Sequence, residues 1–213
     1  MNQPEDNNKH LKVARPGRPA ITESKKEDMR QKIASVTLNL FQTEGYRQIS
    51  MRRVAREIGC SPMTLYKYYD AKVDILHTLW SNIFEALFSK LNALELKDNS
   101  PRQQLALLAS TYVDYWLNNS EHYRLVFMTE GVNQPEVSIF VVQPDIAAHY
   151  DVFALAIINA SPKQLQQDEL KQKLDTIVCF LNGIAHNLIT ISGHDWPSRE
   201  YLIEAAIRGV IDE

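Results

Sequence analysis

Cysteine, glycine and proline are scarce in this 213-residue chain, at 2, 7 and 9 residues. No apolar run approaches the roughly 20 residues that a membrane-spanning helix needs, and the polar amino terminus has no signal-peptide core. A cytoplasmic protein without membrane contact is expected. Cys60 and Cys179 are far apart and belong to no CxxC or Cys/His pattern, so neither a disulfide framework nor a metal site is expected. Six histidines are scattered at positions 10, 77, 122, 149, 186 and 194, and none belongs to an HExxH pair. A nucleophile elbow, a Walker loop and a Rossmann glycine pattern are also missing, so no enzyme and no cofactor are expected. Few helix breakers imply a mostly helical protein.

The net charge of −3 hides a division along the chain. Residues 1–72 hold 14 of the 23 basic residues and 8 of the 26 acidic ones, a net of +6, whereas residues 73–213 carry −9. A basic amino-terminal part is the electrostatic footprint of a nucleic-acid binder.

Within that part, Met51, Val54, Ala55 and Ile58 recur at helical spacing, and Arg52, Arg53 and Arg56 take the other faces. Ser50 is a natural N-cap, and Gly59 can end the helix with a positive φ. Ser61 can cap a second helix that has Pro62 in its first turn. There Leu65 and Tyr69 can pack inward, leaving Met63, Thr64 and Lys67 outward to meet base edges. Tyr66, Tyr68, Lys72, Ser50 and Arg52 are better placed for phosphates.

The run GYRQISMRRVAREIGCSPMTLYKYYDAKVDIL, residues 45–76, resembles the DNA-binding signature of the tetracycline-repressor (TetR) family of bacterial transcription regulators. Gly45-Tyr46, Ser50, Val54-Ala55, Gly59, Ser61, Thr64-Leu65-Tyr66, Tyr68 and Lys72 match its usual residues. Met63 stands where many members have Gly, so an operator preference does not carry over. The resemblance implies an all-α protein: a three-helix helix-turn-helix DNA-binding head followed by a larger helical ligand-binding and dimerisation domain. It further implies a bacterial repressor that binds a palindromic operator as a homodimer, associates with the nucleoid when bound and responds to a small-molecule effector. A control by a protein partner, or a helical enzyme, are the alternatives.

Residues 1–22 read as a basic disordered arm, whose Arg15 and Arg18 can enter an A·T-rich minor groove. Residues 23–71 are assigned to the head and 72–213 to the regulatory and dimerisation domain. Ser24 and Glu27 form a capping-box pattern for the first helix, and Asp70 is a candidate cap for a long helix with an apolar stripe from Leu76 to Leu91. Helix starts are expected near 101, 121, 136, 163 and 197, two of them from Ser100-Pro101 and Ser161-Pro162. Val137 to Val142 fits either a strand or a helix broken near Pro144.

In the acidic part, Trp80, Phe84, Phe88, Tyr112, Trp116, Phe127 and Phe153 are core candidates that could also wall an effector pocket, together with Phe180 and His186. Phe140 and Tyr150 belong to the same aromatic set, and His77 and Asn182 are further polar candidates. The resemblance places a dimer interface on the last two helices, about 163–191 and 197–211, where Leu174, Val178, Leu181, Ala185, Leu202, Ala205 and Gly209 are the candidate contacts.

Overall fold

The eight apolar side chains at 76, 79, 80, 83, 84, 87, 88 and 91 are all buried along one long helix, as their three- and four-residue spacing requires. The computed structural model describes residues 23–141 and 143–211, and among these there is no strand. The arm with Arg15 and Arg18 lies outside the described residues.

Helix α1 (Glu23–Glu44), a 3-10 turn at Tyr46–Gln48, α2 (Met51–Ile58) and α3 (Pro62–Leu65) come first, followed by the long α4 (Lys72–Asn92). Then follow α5 (Pro101–Asn118), α6 (Ser120–Phe127), α7 (Gln134–Val141), α8 (Pro144–Ala148), α9 (Asp151–Ala160), α10 (Gln167–Thr190) and α11 (Arg199–Ile211). α1 packs on α2 and α4, while α5 packs on α4, α9, α10 and α11. One buried apolar cluster therefore runs from Ile33 to Ile211 by way of α4.

Polar ties fix the bundle. The Trp80 indole N–H donates to the Leu125 carbonyl at 2.9 Å and the Tyr115 hydroxyl to the Ile83 carbonyl at 3.1 Å. Arg199 pairs with Asp114, and Arg102 with Glu204 at 2.7 Å, pinning α11 to α5.

Three expected helix starts are corrected. Ser24 does not cap α1, because Glu23 is already helical and pairs with Lys26 at 2.9 Å. Asp70 does not cap α4: Ala71 occupies the N-cap, and its N–H donates to the Asp74 carboxylate at 2.7 Å. Ser161-Pro162 starts no helix either, since Ser161 closes α9 through its N–H to the Ile157 carbonyl. α10 begins five residues beyond Pro162, at Gln167, with Asp168 and Glu169 opposing its N-terminal dipole. Ser100-Pro101 does start α5, with Ser100 and Gln103 closing a capping box. The segment at 137–141 is helical, and Pro144 opens the next helix in its first turn, where no amide hydrogen is needed.

Leu87 is fully buried in the C-terminal third of α4. Leu87→Ala should lower the unfolding free energy by about 2–5 kcal/mol in denaturant titration. A loss below about 1 kcal/mol would contradict the central position of α4.

Candidate functional site

The segment between α2 and α3 owes its shape to three local devices. The Ser50 hydroxyl accepts the Arg53 N–H at 3.2 Å at the start of α2. At its end Gly59 adopts φ +78, a left-handed conformation, and the Cys60 N–H returns to the Ala55 carbonyl at 2.9 Å. Ser61 then accepts the Thr64 N–H at 3.1 Å, with Pro62 in the first turn of α3.

Only 62–65 are regular α-helix, but the turn continues. Tyr66 N–H bonds to Pro62 O, Lys67 N–H to Thr64 O and Tyr68 N–H to Leu65 O. The expected inward pair, Leu65 and Tyr69, is buried against α1 and α2. Met63 is 73% exposed, the most of any large apolar side chain among the described residues, and Tyr66 and Lys67 are also exposed. Thr64 and Tyr68 are half-buried. Ser61 and Pro62 are exposed beside them, and Ser50 and Arg52 project from the start of α2.

Not every cation of this region is available. Arg53 is held by Glu44 at 2.5 Å and Glu57 at 2.6 Å, so it ties α2 to α1. Lys72 donates to the Tyr46 carbonyl at 2.6 Å and lies 3.8 Å from the centre of that ring. Burial lowers the Lys72 pKa, with Glu136 opposing it. Burial likewise pushes the Tyr46 phenol up to about 12, helped by Glu136 and Asp74. Lys72 thus connects the head of the molecule to α4 and has two further N–H donors.

A cavity of about 540 Å³ lies between α4, α6, α7, α8 and α10. Trp80, Phe84 and Phe127 line it together with Phe140, Tyr150 and Asn182; Phe127, a core candidate by its spacing, is 42% exposed because it ends α6 at the cavity. Leu174 and Val178, expected at a dimer face, also face this cavity, and the Lys171–Asp175 pair lies on its edge. Phe88, Tyr112, Trp116 and Phe153 are buried in the packing beyond it. Tyr112 donates to Asn182 at 2.9 Å and so orients one polar wall. Two of the expected pocket residues lie elsewhere. Phe180 is exposed on the far face of α10, and His186 sits beside Tyr123, with ring centres 6.0 Å apart.

That far face is a second apolar surface. Phe180, Gly183, Trp196, Leu202 and Ala205 line a groove of about 370 Å³ there, and Gly209 lies against the Phe180 ring. Leu181 and Ala185 are fully buried within the chain, where a partner copy has no access to them. Periodicity along α10 made its apolar stripe visible, but not which part of that stripe faces another helix.

Contacts run from the cavity lining to the head. His77 packs beside the Trp80 and Phe140 rings, at 5.5 and 5.4 Å, and its Nε2 is 3.1 Å from the Glu136 carbonyl. The connection from α6 to α7 then meets the 3-10 turn, with Arg47 3.6 Å from Glu130 and its stem against Gly131. Among the described residues no group of His, Cys, Asp and Glu could hold a metal ion, and no helix is long and apolar enough to cross a membrane.

Space around the Gly59 position is open, so a Cβ there meets only backbone strain. Gly59→Ala should cost about 1–2 kcal/mol in thermal or denaturant unfolding. An unchanged stability would show that the turn relaxes out of its left-handed geometry.

Comparison with known proteins bears on both parts. Residues 33–79 match the bacterial regulatory proteins, tetR family. The HTH-type transcriptional activator FasR of Mycolicibacterium smegmatis is 22% identical over 113 residues, which are 53% of this chain and 52% of FasR. The nucleoid occlusion factor SlmA of Haemophilus ducreyi is 27% identical over 104 residues, 47% of this chain and 52% of SlmA. The chain thus spans about half the length of the curated relatives it matches. Among solved structures, Thermus thermophilus FadR, a TetR-family transcriptional repressor in complex with lauroyl-CoA, superposes with a TM-score of 0.63 at 15% identity. That likeness of fold covers 85% of this chain and 92% of the other. Residues 33–79 thus carry the helix-turn-helix signature of the bacterial regulatory proteins, tetR family, within a fold that resembles the FadR structure.

Proposed function

We propose that the chain is a sequence-specific DNA-binding transcription regulator, an effector-responsive repressor that binds a palindromic operator as a homodimer. The observation that carries this reading is the outward edge of the capped α3 turn, where Met63, Thr64 and Lys67 share one side and Leu65 and Tyr69 anchor the other. Lys67 can donate to guanine or thymine oxygens. Tyr66, Tyr68, Arg52 and the Ser50 and Ser61 hydroxyls supply phosphate contacts, with Lys72 adding its spare donors. We assign residues 23–71 to the head and 72–213 to regulation and dimerisation, with α4, which begins at Lys72, packed against α1 of the head.

Two copies related by a two-fold axis would present their α3 turns to half-sites about 34–36 Å apart. The Phe180–Gly183–Ala205 face supports the pairing: its small residues permit close helix approach, and an exposed aromatic gains from burial. Effector control rests on the 540 Å³ cavity, which is of ligand size and mostly apolar. The fold relative that carries lauroyl-CoA supports the same reading. A solid core would have favoured a protein partner instead.

Coupling needs only a ligand that prefers one of two states. A ~100-fold preference corresponds to about 2.7 kcal/mol. The route we propose runs from α7 through Glu130 and Gly131 to Arg47, and from α4 through Lys72 to Tyr46.

Selection of bound DNA from a random pool tests the reading directly. It should return a two-fold symmetric site, and Lys67→Ala should lower affinity for that site about tenfold while relaxing its sequence preference. Recovery of random sequence with the full chain would overturn it. Separately, sedimentation at micromolar concentration should show a dimer that Phe180→Glu converts to monomer. A wild-type monomer, or a variant that stays dimeric, would remove this face from the account.

A further inference from the structure

Two details of α3 bear on what it reads. The Thr64 hydroxyl is 2.9 Å from the Ser61 hydroxyl, which also accepts the Thr64 N–H. That side chain's polar group is thereby engaged inside the cap, and its γ-methyl is the part left for an outside contact. Met63, the preceding residue, is 73% exposed. Lys67, one turn on, is exposed, and no ion pair engages it among the described residues. A surface of two apolar groups beside one cation is poorly suited to a base edge that offers only hydrogen-bonding groups. It fits an edge that presents a methyl next to an acceptor, and thymine alone among the DNA bases has a 5-methyl beside its O4.

We infer that α3 selects thymine in the major groove, with Met63 and the Thr64 methyl packing on the 5-methyl group and Lys67 donating to O4. The inference rests on the proposed DNA-reading role of α3 and adds the base class that it prefers. Ser61 is a positioning residue in this scheme: its hydroxyl holds that of Thr64 away from the groove. 5-Methylcytosine carries the same methyl but places an amino donor where thymine has its acceptor, opposite a lysine that can only donate.

The test uses the full chain and a site selected from random DNA. Each thymine of a half-site is replaced in turn by deoxyuridine, which lacks only the methyl, and binding is titrated at constant salt. At one or two positions affinity should fall about 3- to 10-fold, the size expected for losing one buried methyl contact. Thr64→Ser retains the hydroxyl cap and removes only the methyl; with Met63→Ala it should shrink the thymine-to-uridine ratio at those positions toward one. A 5-methylcytosine·guanine pair at the same positions should bind no better than the uridine site. Intact site binding with no uridine effect, a uridine effect undiminished in both variants, or full binding to the 5-methylcytosine site would each overturn the inference and leave the regulator reading in place. Failure to select any DNA sequence would overturn both.

Discussion

Everything in this molecule depends on α4 being buried on two sides at once. Its first turn is fastened to the head by Lys72, which donates to the Tyr46 carbonyl and lies over that ring. Two turns later Trp80 donates to Leu125 and forms a wall of the cavity. Because side chains in a close-packed interior cannot slide continuously past one another, the coupling proposed between cavity and head would pass along this helix as a discrete rearrangement. The same helix thus supports the head through α1 and Tyr46 and forms one wall of the ligand-sized space.

The charge division has a related physical sense. The basic residues of the head do not all face outward: Arg53 is spent on Glu44 and Glu57, and Lys72 on Tyr46. Among the described residues of the head, Arg52 and Arg56 on α2 and Lys67 beyond α3 are exposed, as are Lys25 and Lys32 on α1. The acidic remainder discourages contact with DNA elsewhere along the chain, which favours approach through the head.

The head was legible because its geometry follows from rules that act within a few residues. Ser50, Gly59, Ser61 and Pro62 each do in the structure what their chemistry suggests. The same rules misplaced the starts of α1, α4 and α10. A serine or aspartate can cap a helix, but it does so only where packing begins the helix, and Asp74 reaching back to Ala71 is as good a solution as Asp70. The cavity was legible only in part. Aromatic residues at helical spacing indicated that α4 and α6 would bury rings, and Trp80, Phe84 and Phe127 line the space. Spacing could not distinguish the face of α10 that carries Leu174, Val178 and Asn182 from the one that carries Phe180, since both are set by which neighbours pack there. Lys72 was a similar case: its basic character was evident, but its bond to a carbonyl 26 residues earlier in the chain is a product of tertiary structure.

The central claim is that DNA is engaged through α3 and the start of α2, and that α4 carries the consequence to the cavity. Amide hydrogen exchange of the full chain, with and without a selected operator, tests it most directly. Protection should rise from Ser50 to Lys72 and extend along α4 toward Trp80, with the exposed surfaces of α5 and α9 unaffected. Protection confined to α5, α9 or the outer face of α11, with residues 50–72 unchanged, would contradict the account.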